Sequence, residues 1–133
     1  MKYWILKTEP EDYSFADLAK DKSTTWDHVR NYMARNNLRT MEKDDEVIIY
    51  ESVSTKAAVG LAKIKKTAYQ DPTTKEDWSA VDVAFVKALK NPVTLAQMKA
   101  DPLLKTISLV KMSRLSVCPI SKEAYDKIVK LGS

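Results

Sequence analysis

The run at residues 47–50, Val-Ile-Ile-Tyr, is the feature that most constrains the fold of this chain. Three of its four residues are β-branched, which favours a strand, and consecutive apolar residues put apolar side chains on both faces of that strand. A strand with this pattern is covered on both sides instead of facing water on one. We therefore predict a strand that is buried on both faces.

Further strand patterns lie on either side of this run. The predicted strands are residues 3–7, residues 58–64 with a pattern that can be followed to residue 69, residues 81–89 and residues 114–119. Prolines end three of them, at Pro10, Pro92 and Pro119, because proline cannot donate a hydrogen bond to a sheet ladder. Gly60 predicts a bulge, or a place where another group approaches the backbone closely.

Polar capping residues mark the starts of the predicted helices. Ser14 and Asp17 form a capping-box pattern for a helix that ends near residue 21. Thr94 and Ser121 precede two further helices, of which the first covers residues 95–100. Another helix is predicted over residues 30–39, with an apolar stripe at Ala34, Leu38 and Met41.

Polar segments connect these elements. Residues 22–25 and 51–57 are predicted connections, and residues 42–45 form a turn in which Asp can adopt the left-handed conformation. Strands interrupted by two helices, followed by strands with short connections, indicate an α+β fold with a mostly antiparallel or mixed, strongly curled sheet. A length of 133 residues is typical of one domain, so residues 1–133 are predicted to form a single domain.

The composition argues against several kinds of site. Cys118 is the only cysteine and His28 the only histidine, so an internal disulfide and a thiolate metal cluster are impossible and a zinc site is disfavoured. The sequence contains no glycine-rich phosphate-binding motif and no GxSxG nucleophile motif. We therefore predict no metal, no cofactor and no catalytic activity. The alternative is a small-molecule or nucleotide-handling enzyme that uses His28 or Glu9.

Two further patterns concern location and partners. The longest apolar run, residues 57–62, is far shorter than the roughly 20 residues that span a membrane. The amino terminus becomes charged again at Lys7 before a signal-peptide core could form, so a cytoplasmic location is expected. A formal net charge of +4 is compatible with a polyanionic partner such as nucleic acid.

Residues 24–39 concentrate chemistry that a plain core helix does not need. Trp26 and Tyr32 are aromatic, Asn31 carries an amide, and no acid separates the three arginines Arg30, Arg35 and Arg39. Aromatic rings stack on bases, an amide donates to and accepts from a base edge, and arginines attract phosphates. The mixture is typical of a nucleotide site. The alternative is that Trp26 anchors the core and the polar residues form a solvated face.

Several motifs resemble those of the EVE domain family. The leading ones are Trp-Ile-Leu-Lys-Thr-Glu-Pro at residues 4–10 and Thr-Thr-Trp-Asp-His-Val-Arg-Asn-Tyr-Met-Ala-Arg-Asn at residues 24–36. Further matches follow in order at residues 50–52, 59–62, 68–72, 78–83, 92–95 and 114–117. The resemblance therefore covers almost the whole chain.

This resemblance implies both a fold and a function. The implied fold is PUA-like, a curled mixed sheet approaching a small barrel with flanking helices, and it is similar to that of YTH domains, which hold a methylated adenine in an aromatic cage. The implied function is non-catalytic binding of a modified base in DNA or RNA, with 5-methylcytosine, 5-hydroxymethylcytosine or N6-methyladenine as ligand. A protein-interaction domain with a vestigial pocket is the alternative.

The resemblance also implies site residues. The family pocket, carried onto this sequence, consists of Lys7, Thr8, Glu9, Trp26, Asn31, Tyr32, Tyr50, Ser52 and Trp78. Within it Trp26 would stack on a base while Asn31 and Thr8 address the polar edge of that base. The phosphate backbone would be contacted by Arg30, Arg35 and Arg39. The chain departs from the family pattern where His28 and Asp44 replace a common Gly and where Glu51 replaces a common His.

Overall fold

One sheet flanked by helices forms the protein, whose computed structural model describes residues 1–112 and 115–133. The elements in chain order are β1 (Tyr3–Thr8), α1 (Phe15–Asp21), β2 (Ser23–Trp26), α2 (Tyr32–Arg39), β3 (Glu46–Glu51), β4 (Ala57–Gln70), β5 (Ser79–Thr94), α3 (Leu95–Ala100), a 3-10 turn (Leu104–Thr106), α4 (Ser108–Lys111), β6 (Val117–Ile120) and α5 (Lys122–Gly132). The strands follow the order β2-β5-β4-β3-β1-β6. β1 and β3 pair in parallel and the other four neighbouring pairs are antiparallel, which confirms the predicted mixed sheet.

The predicted two-sided burial of residues 47–50 is confirmed in β3. Val47, Ile48 and Ile49 are fully buried, and Tyr50 is 3% exposed. β3 lies between β1 and β4, so its backbone is paired along both edges. Helices α1, α2 and α5 pack against other strands of the same sheet and help to enclose its core.

Helices α1, α3 and α5 begin directly after their predicted capping residues. Ser14 Oγ accepts a hydrogen bond from the Asp17 N–H at 3.1 Å, and the Asp17 carboxylate accepts one from the Ser14 N–H at 3.0 Å. Thr94 and Ser121 cap α3 and α5 in the same way through their hydroxyl groups. The predicted apolar stripe of α2 is buried at Ala34, Leu38 and Met41. Within residues 1–112 and 115–133, no helix is long and apolar enough to cross a membrane.

The predicted connection at residues 22–25 is wrong, because most of it forms strand β2. This strand pairs antiparallel with β5, from Ser23 opposite Ala84 to Trp26 opposite Val81. β2 is an edge strand, where polar side chains are common, and this explains why the polar pattern looked like a loop.

The prediction that Pro92 ends its strand is also wrong, since β5 continues to Thr94. The residue pairs Gly60–Ala88 and Ala58–Val93 leave residues 89–92 of β5 opposite a single residue of β4. Pro92 therefore lies in a bulge, where its missing N–H does not interrupt the ladder.

The last predicted strand, residues 114–119, corresponds to β6. Its predicted first residue, Arg114, lies outside the described residues.

Gly60 combines the two features predicted for it. The register between β4 and β5 shifts between Ala58 and Gly60, which marks a bulge. A Cβ atom at Gly60 would overlap the ring of Phe15, the first residue of α1. Phe15 in turn packs on Phe85 with ring centroids 5.3 Å apart. Helix α1 therefore approaches the sheet closely because residue 60 has no side chain.

We expect Gly60→Ala to lower the free energy of unfolding by about 1–3 kcal/mol, the usual cost of overpacking a core. Urea unfolding followed by circular dichroism would measure the change. In a Phe15→Leu background the same substitution should cost less, because the smaller side chain leaves room for the new methyl group. An equal cost in both backgrounds would show that the Phe15 ring is not the cause.

Candidate functional site

A cavity of about 870 Å³ opens between the end of β1, strand β2 and the segment that leads into α2. It is lined by Lys7, Thr8, Glu9, Asp12, Tyr13, Thr24, Thr25, Trp26, Asp27, His28, Val29, Arg30, Asn31 and Ser116. β1 and β2 stand fifth and first in the strand order, so they can share a cavity only because the sheet curls. The strong curl predicted from the sequence is therefore confirmed.

The structure brings part of the predicted site to this cavity. The predicted residues that line it are Lys7, Thr8, Glu9, Trp26, Arg30 and Asn31. The predicted pocket residues that do not line it are Tyr32, Tyr50, Ser52 and Trp78. Tyr50 belongs to the core of β3, and the Ser52 N–H donates to the Thr8 carbonyl at 2.9 Å. Tyr32 and Trp78 instead stack on each other.

Trp26 forms an aromatic wall of the cavity. It is 8% exposed and packs edge-on against Tyr13, with ring centroids 6.4 Å apart and ring planes at 89°. The Tyr13 hydroxyl donates to the Asp21 carboxylate at 2.8 Å, and burial raises the pKa of this hydroxyl. Trp26 is thus part of the core and part of the cavity, so the two interpretations of this residue from the sequence are compatible.

Thr8 and Asn31 present a hydrogen-bond acceptor and a donor. The Thr8 hydroxyl donates its hydrogen to the Tyr13 carbonyl at 2.5 Å, which leaves the hydroxyl oxygen as an acceptor. Asn31 Oδ1 accepts from the Ala34 N–H at 2.9 Å as the N-cap of α2. Its Nδ2 is therefore the atom left to donate. Because of this cap, α2 begins at Tyr32. The predicted start at residue 30 is wrong.

The buried carboxylate of Asp71 fixes the loop that precedes α2. It accepts hydrogen bonds from the His28 N–H at 3.0 Å, from Arg30 Nη1 at 2.9 Å and from the Thr73 N–H at 2.7 Å. Burial opposes its ionisation, but the hydrogen bonds from Thr73, Arg30 and His28 outweigh this effect and hold the pKa of Asp71 well below its usual range. One charge therefore ties the cavity loop to the turn after β4.

The other two arginines of this region share one carboxylate. Arg35 Nη1 lies 3.3 Å and Arg39 Nη2 lies 2.5 Å from the oxygens of Asp77. The Asp77 side chain is 78% exposed, and exposed ion pairs contribute little to stability. A phosphate could therefore replace this carboxylate at small cost.

With His28 neutral, acidic groups outnumber basic groups at the cavity. Glu9, Asp12 and Asp27 face Lys7 and Arg30, of which Arg30 is already paired with a carboxylate. Burial lowers the pKa of Lys7, while the nearby charge of Glu9 opposes this shift. This excess of negative charge disfavours a phosphate inside the cavity and suits an uncharged polar ligand.

In the part of the chain that the structure describes, no group of His, Cys, Asp and Glu could hold a metal ion.

The three departures from the family pattern have structural roles. His28 and Asp44 have φ values of 61° and 71°, in the left-handed region that Gly adopts without steric cost. Glu51 Oε2 accepts a hydrogen bond from the Phe15 N–H at 2.8 Å. Its negative charge therefore stabilises the start of α1 and does not line the cavity.

Of the remaining lining residues, His28 was named from the sequence only as a candidate catalytic residue. Those not predicted are Asp12, Tyr13, Thr24, Thr25, Asp27, Val29 and Ser116. Thr24 and Thr25 belong to β2, so recognition of that strand would have placed them beside Trp26. Tyr13 is placed by the turn after β1, where its N–H donates to the Glu9 carbonyl at 2.9 Å. Ser116 precedes β6, and its carbonyl accepts from the Lys7 N–H at 2.8 Å.

Comparison with known proteins finds relatives along the whole chain. The model of the EVE domain matches residues 2–131. Thymocyte nuclear protein 1 of Mus musculus is 39% identical in an alignment of 165 residues. The alignment covers 97% of this chain and 73% of the mouse protein.

Solved structures of related proteins superpose on the whole chain. The human protein of that name, in complex with DNA containing 5-methylcytosine, superposes with a TM-score of 0.91 and 34% identity and covers 100% of this chain and 98% of its own. A protein from Agrobacterium tumefaciens superposes with a TM-score of 0.95 and 35% identity, covering 100% and 94% of the two chains. The PUA-like fold is thereby confirmed.

We expect Asp71→Asn to lower the free energy of unfolding at pH 7 by about 1.5–3 kcal/mol, the range for a lost hydrogen bond to a charged group. Because the folded state lowers the pKa of Asp71, its contribution is complete above the unfolded value near 3.8 and disappears as the pH falls through the folded value. Urea titrations at pH 7, 4 and 3 should show the difference between variant and wild type shrinking with acidity.

A matched control for this experiment is Asp126→Asn, which removes an exposed pair with Lys122. This control should change the stability by less than about 1 kcal/mol. A difference between Asp71→Asn and wild type that stays constant from pH 7 to pH 3 would contradict the assignment.

Proposed function

The chain belongs to the EVE domain family, and we propose that residues 1–133 act as a single non-catalytic domain that binds a modified base of DNA or RNA in the cavity beside Trp26. The observation that carries the proposal is that Trp26, Thr8 and Asn31 line one cavity. The human relative in complex with DNA containing 5-methylcytosine supports the same class of ligand.

The dimensions and chemistry of the cavity support a base as ligand. Its volume of about 870 Å³ lies within the range of roughly 300–1,000 Å³ that is usual for ligand sites. Trp26 supplies a stacking surface, while the Thr8 oxygen and Asn31 Nδ2 supply an acceptor and a donor. Cytosine and adenine each have a hydrogen-bond donor and an acceptor on one edge of the base. Of the three modified bases, 5-methylcytosine has the additional support of the human relative.

The charge distribution supports a base inside and phosphates outside. The carboxylates of Glu9, Asp12 and Asp27 would repel a phosphate that entered the cavity. Arg30 and Arg35 both lie over the Trp78 ring, and Arg35 and Arg39 share Asp77. We propose that these three arginines contact the phosphate backbone. For Arg35 and Arg39 this contact requires a phosphate to compete with Asp77.

The groups with possible catalytic chemistry support binding more than catalysis. Cys118 is fully buried, and burial raises the pKa of its thiol to about 11, so the thiol is protonated near neutral pH. His28 Nδ1 lies 2.6 Å from Asp27 Oδ1, and the His28 side chain is 70% exposed.

We also propose the predicted cytoplasmic location, which fluorescence microscopy of a tagged protein would test.

We expect Trp26→Ala to abolish the preference for a modified base, because stacking on an aromatic side chain contributes about 1–3 kcal/mol per base. Fluorescence anisotropy would measure the binding of single-stranded and duplex DNA and RNA, with and without each modified base, at two salt concentrations. A wild-type protein that binds modified and unmodified strands equally would disprove the proposal.

Two controls separate recognition from folding in this experiment. Trp26→Phe keeps an aromatic surface and should keep most of the preference. Ile128→Ala removes a fully buried side chain from α5, which does not line the cavity. It should lower stability by about 2–5 kcal/mol but leave the preference intact. If Ile128→Ala removed the preference as fully as Trp26→Ala, lost stability would explain both results.

We expect Asp77→Asn to strengthen binding to all nucleic acids, because it releases Arg35 and Arg39 to bind phosphates. The slope of log K against log salt should steepen by about one unit for each additional phosphate that these arginines neutralise. Glu76→Gln is the matched control. It removes the same charge next to Asp77, but among the described residues Glu76 forms no ion pair. Equal effects of both variants would show that only net charge matters.

A further inference from the structure

Two aromatic residues that were predicted to belong to the pocket form a separate surface beside it. The rings of Tyr32 and Trp78 stack with centroids 5.1 Å apart and an interplanar angle of 23°. Neither residue lines the cavity. Tyr32 is 68% exposed, which is unusual for an aromatic side chain and often marks a contact surface.

The outer face of the Tyr32 ring is open to a ligand. The Arg35 guanidinium carbon lies 5.0 Å from the Tyr32 centroid and 5.7 Å from the Trp78 centroid. Arg35 therefore contacts both rings. Trp78 covers one face of Tyr32, yet 68% of the residue stays exposed, so its outer face, which is turned away from Trp78, is open to solvent.

This stack adjoins the cavity. Arg30 lines the cavity, and its guanidinium carbon lies 5.5 Å from the Trp78 centroid. Asn31 also lines the cavity and is followed directly by Tyr32, whose Cα is therefore about 3.8 Å away. A nucleic acid strand that places one base against Trp26 would carry its next nucleotide past Arg30 and Tyr32.

The charges around the stack suit a nucleotide. Arg30 and Arg35 place positive charge against the aromatic rings, which strengthens stacking with a base and attracts its phosphate. Asp77 and Asp71 hold these guanidinium groups in position. Trp78 and Arg35 thus hold the Tyr32 ring in place, while most of its surface stays exposed.

We propose that the outer face of Tyr32 is a stacking site for the base next to the modified base on the same nucleic acid strand. This inference rests on the proposed function of the cavity and adds a second contact to it. Every base has a π-face, so the site accepts any neighbouring base and recognises its presence, not its identity. Affinity for a strand should therefore exceed the affinity for an isolated modified nucleoside.

The test uses short single-stranded DNA with one central 5-methylcytosine, in which the neighbouring nucleotide on either side is normal or abasic. For the wild-type protein, an abasic neighbour on one side should weaken binding about 5- to 150-fold, the factor that corresponds to one base stack. Tyr32→Ala should weaken binding of the normal strand by a similar factor and show no further loss with the abasic strand. Tyr32→Phe should restore the wild-type behaviour.

A matched control is Met33→Ala, which shortens the next exposed side chain of α2 without removing a ring. It should bind the normal and abasic strands as the wild type does. Abasic neighbours that leave wild-type affinity unchanged on both sides, while the preference for 5-methylcytosine persists, would overturn the stacking site and leave the proposed function standing. A wild-type protein with neither the preference nor the abasic effect would overturn both.

Discussion

The curl of a single sheet is the constraint on which the rest of this structure depends. Strands β1 and β2 lie four positions apart in the strand order, yet both contribute to one cavity. The close approach of α1 to Gly60, and the packing of Phe15 on Phe85, attach the intervening helix to the curled sheet. Without this curvature Thr8 and Trp26 would lie on opposite sides of the molecule, and no aromatic wall would face the end of β1.

A few charged groups convert this scaffold into an organised surface. Asp71 is buried and holds the backbone of His28 and the guanidinium of Arg30, so the loop before α2 has a defined shape. Asp77 is exposed and bridges Arg35 and Arg39. The buried carboxylate stabilises the structure, while the exposed one occupies a position where a phosphate can compete. These arginines therefore have carboxylate partners in the free protein, and we propose that phosphates compete with Asp77 for Arg35 and Arg39.

Much of the fold could be predicted because its signals are local. The β-branched run of β3, the capping box of Ser14 and Asp17 and the bulge at Gly60 each depend on neighbouring residues, and the structure confirms all three. β2 escaped prediction because an edge strand tolerates the polar residues of a loop. The extension of β5 through Pro92 escaped prediction because the bulge that accommodates proline depends on the register with β4.

By itself the sequence determined which chemical groups the protein has, where helices α1, α3 and α5 start and which strand is buried, since these follow from side-chain chemistry and spacing along the chain. Only the tertiary structure decided which groups meet. It brought Tyr13 and Ser116 to the cavity with Trp26, and it stacked Tyr32 on Trp78 outside the cavity. The physical reason is that these contacts join residues far apart in the chain, and the twist and register of the sheet set their distances.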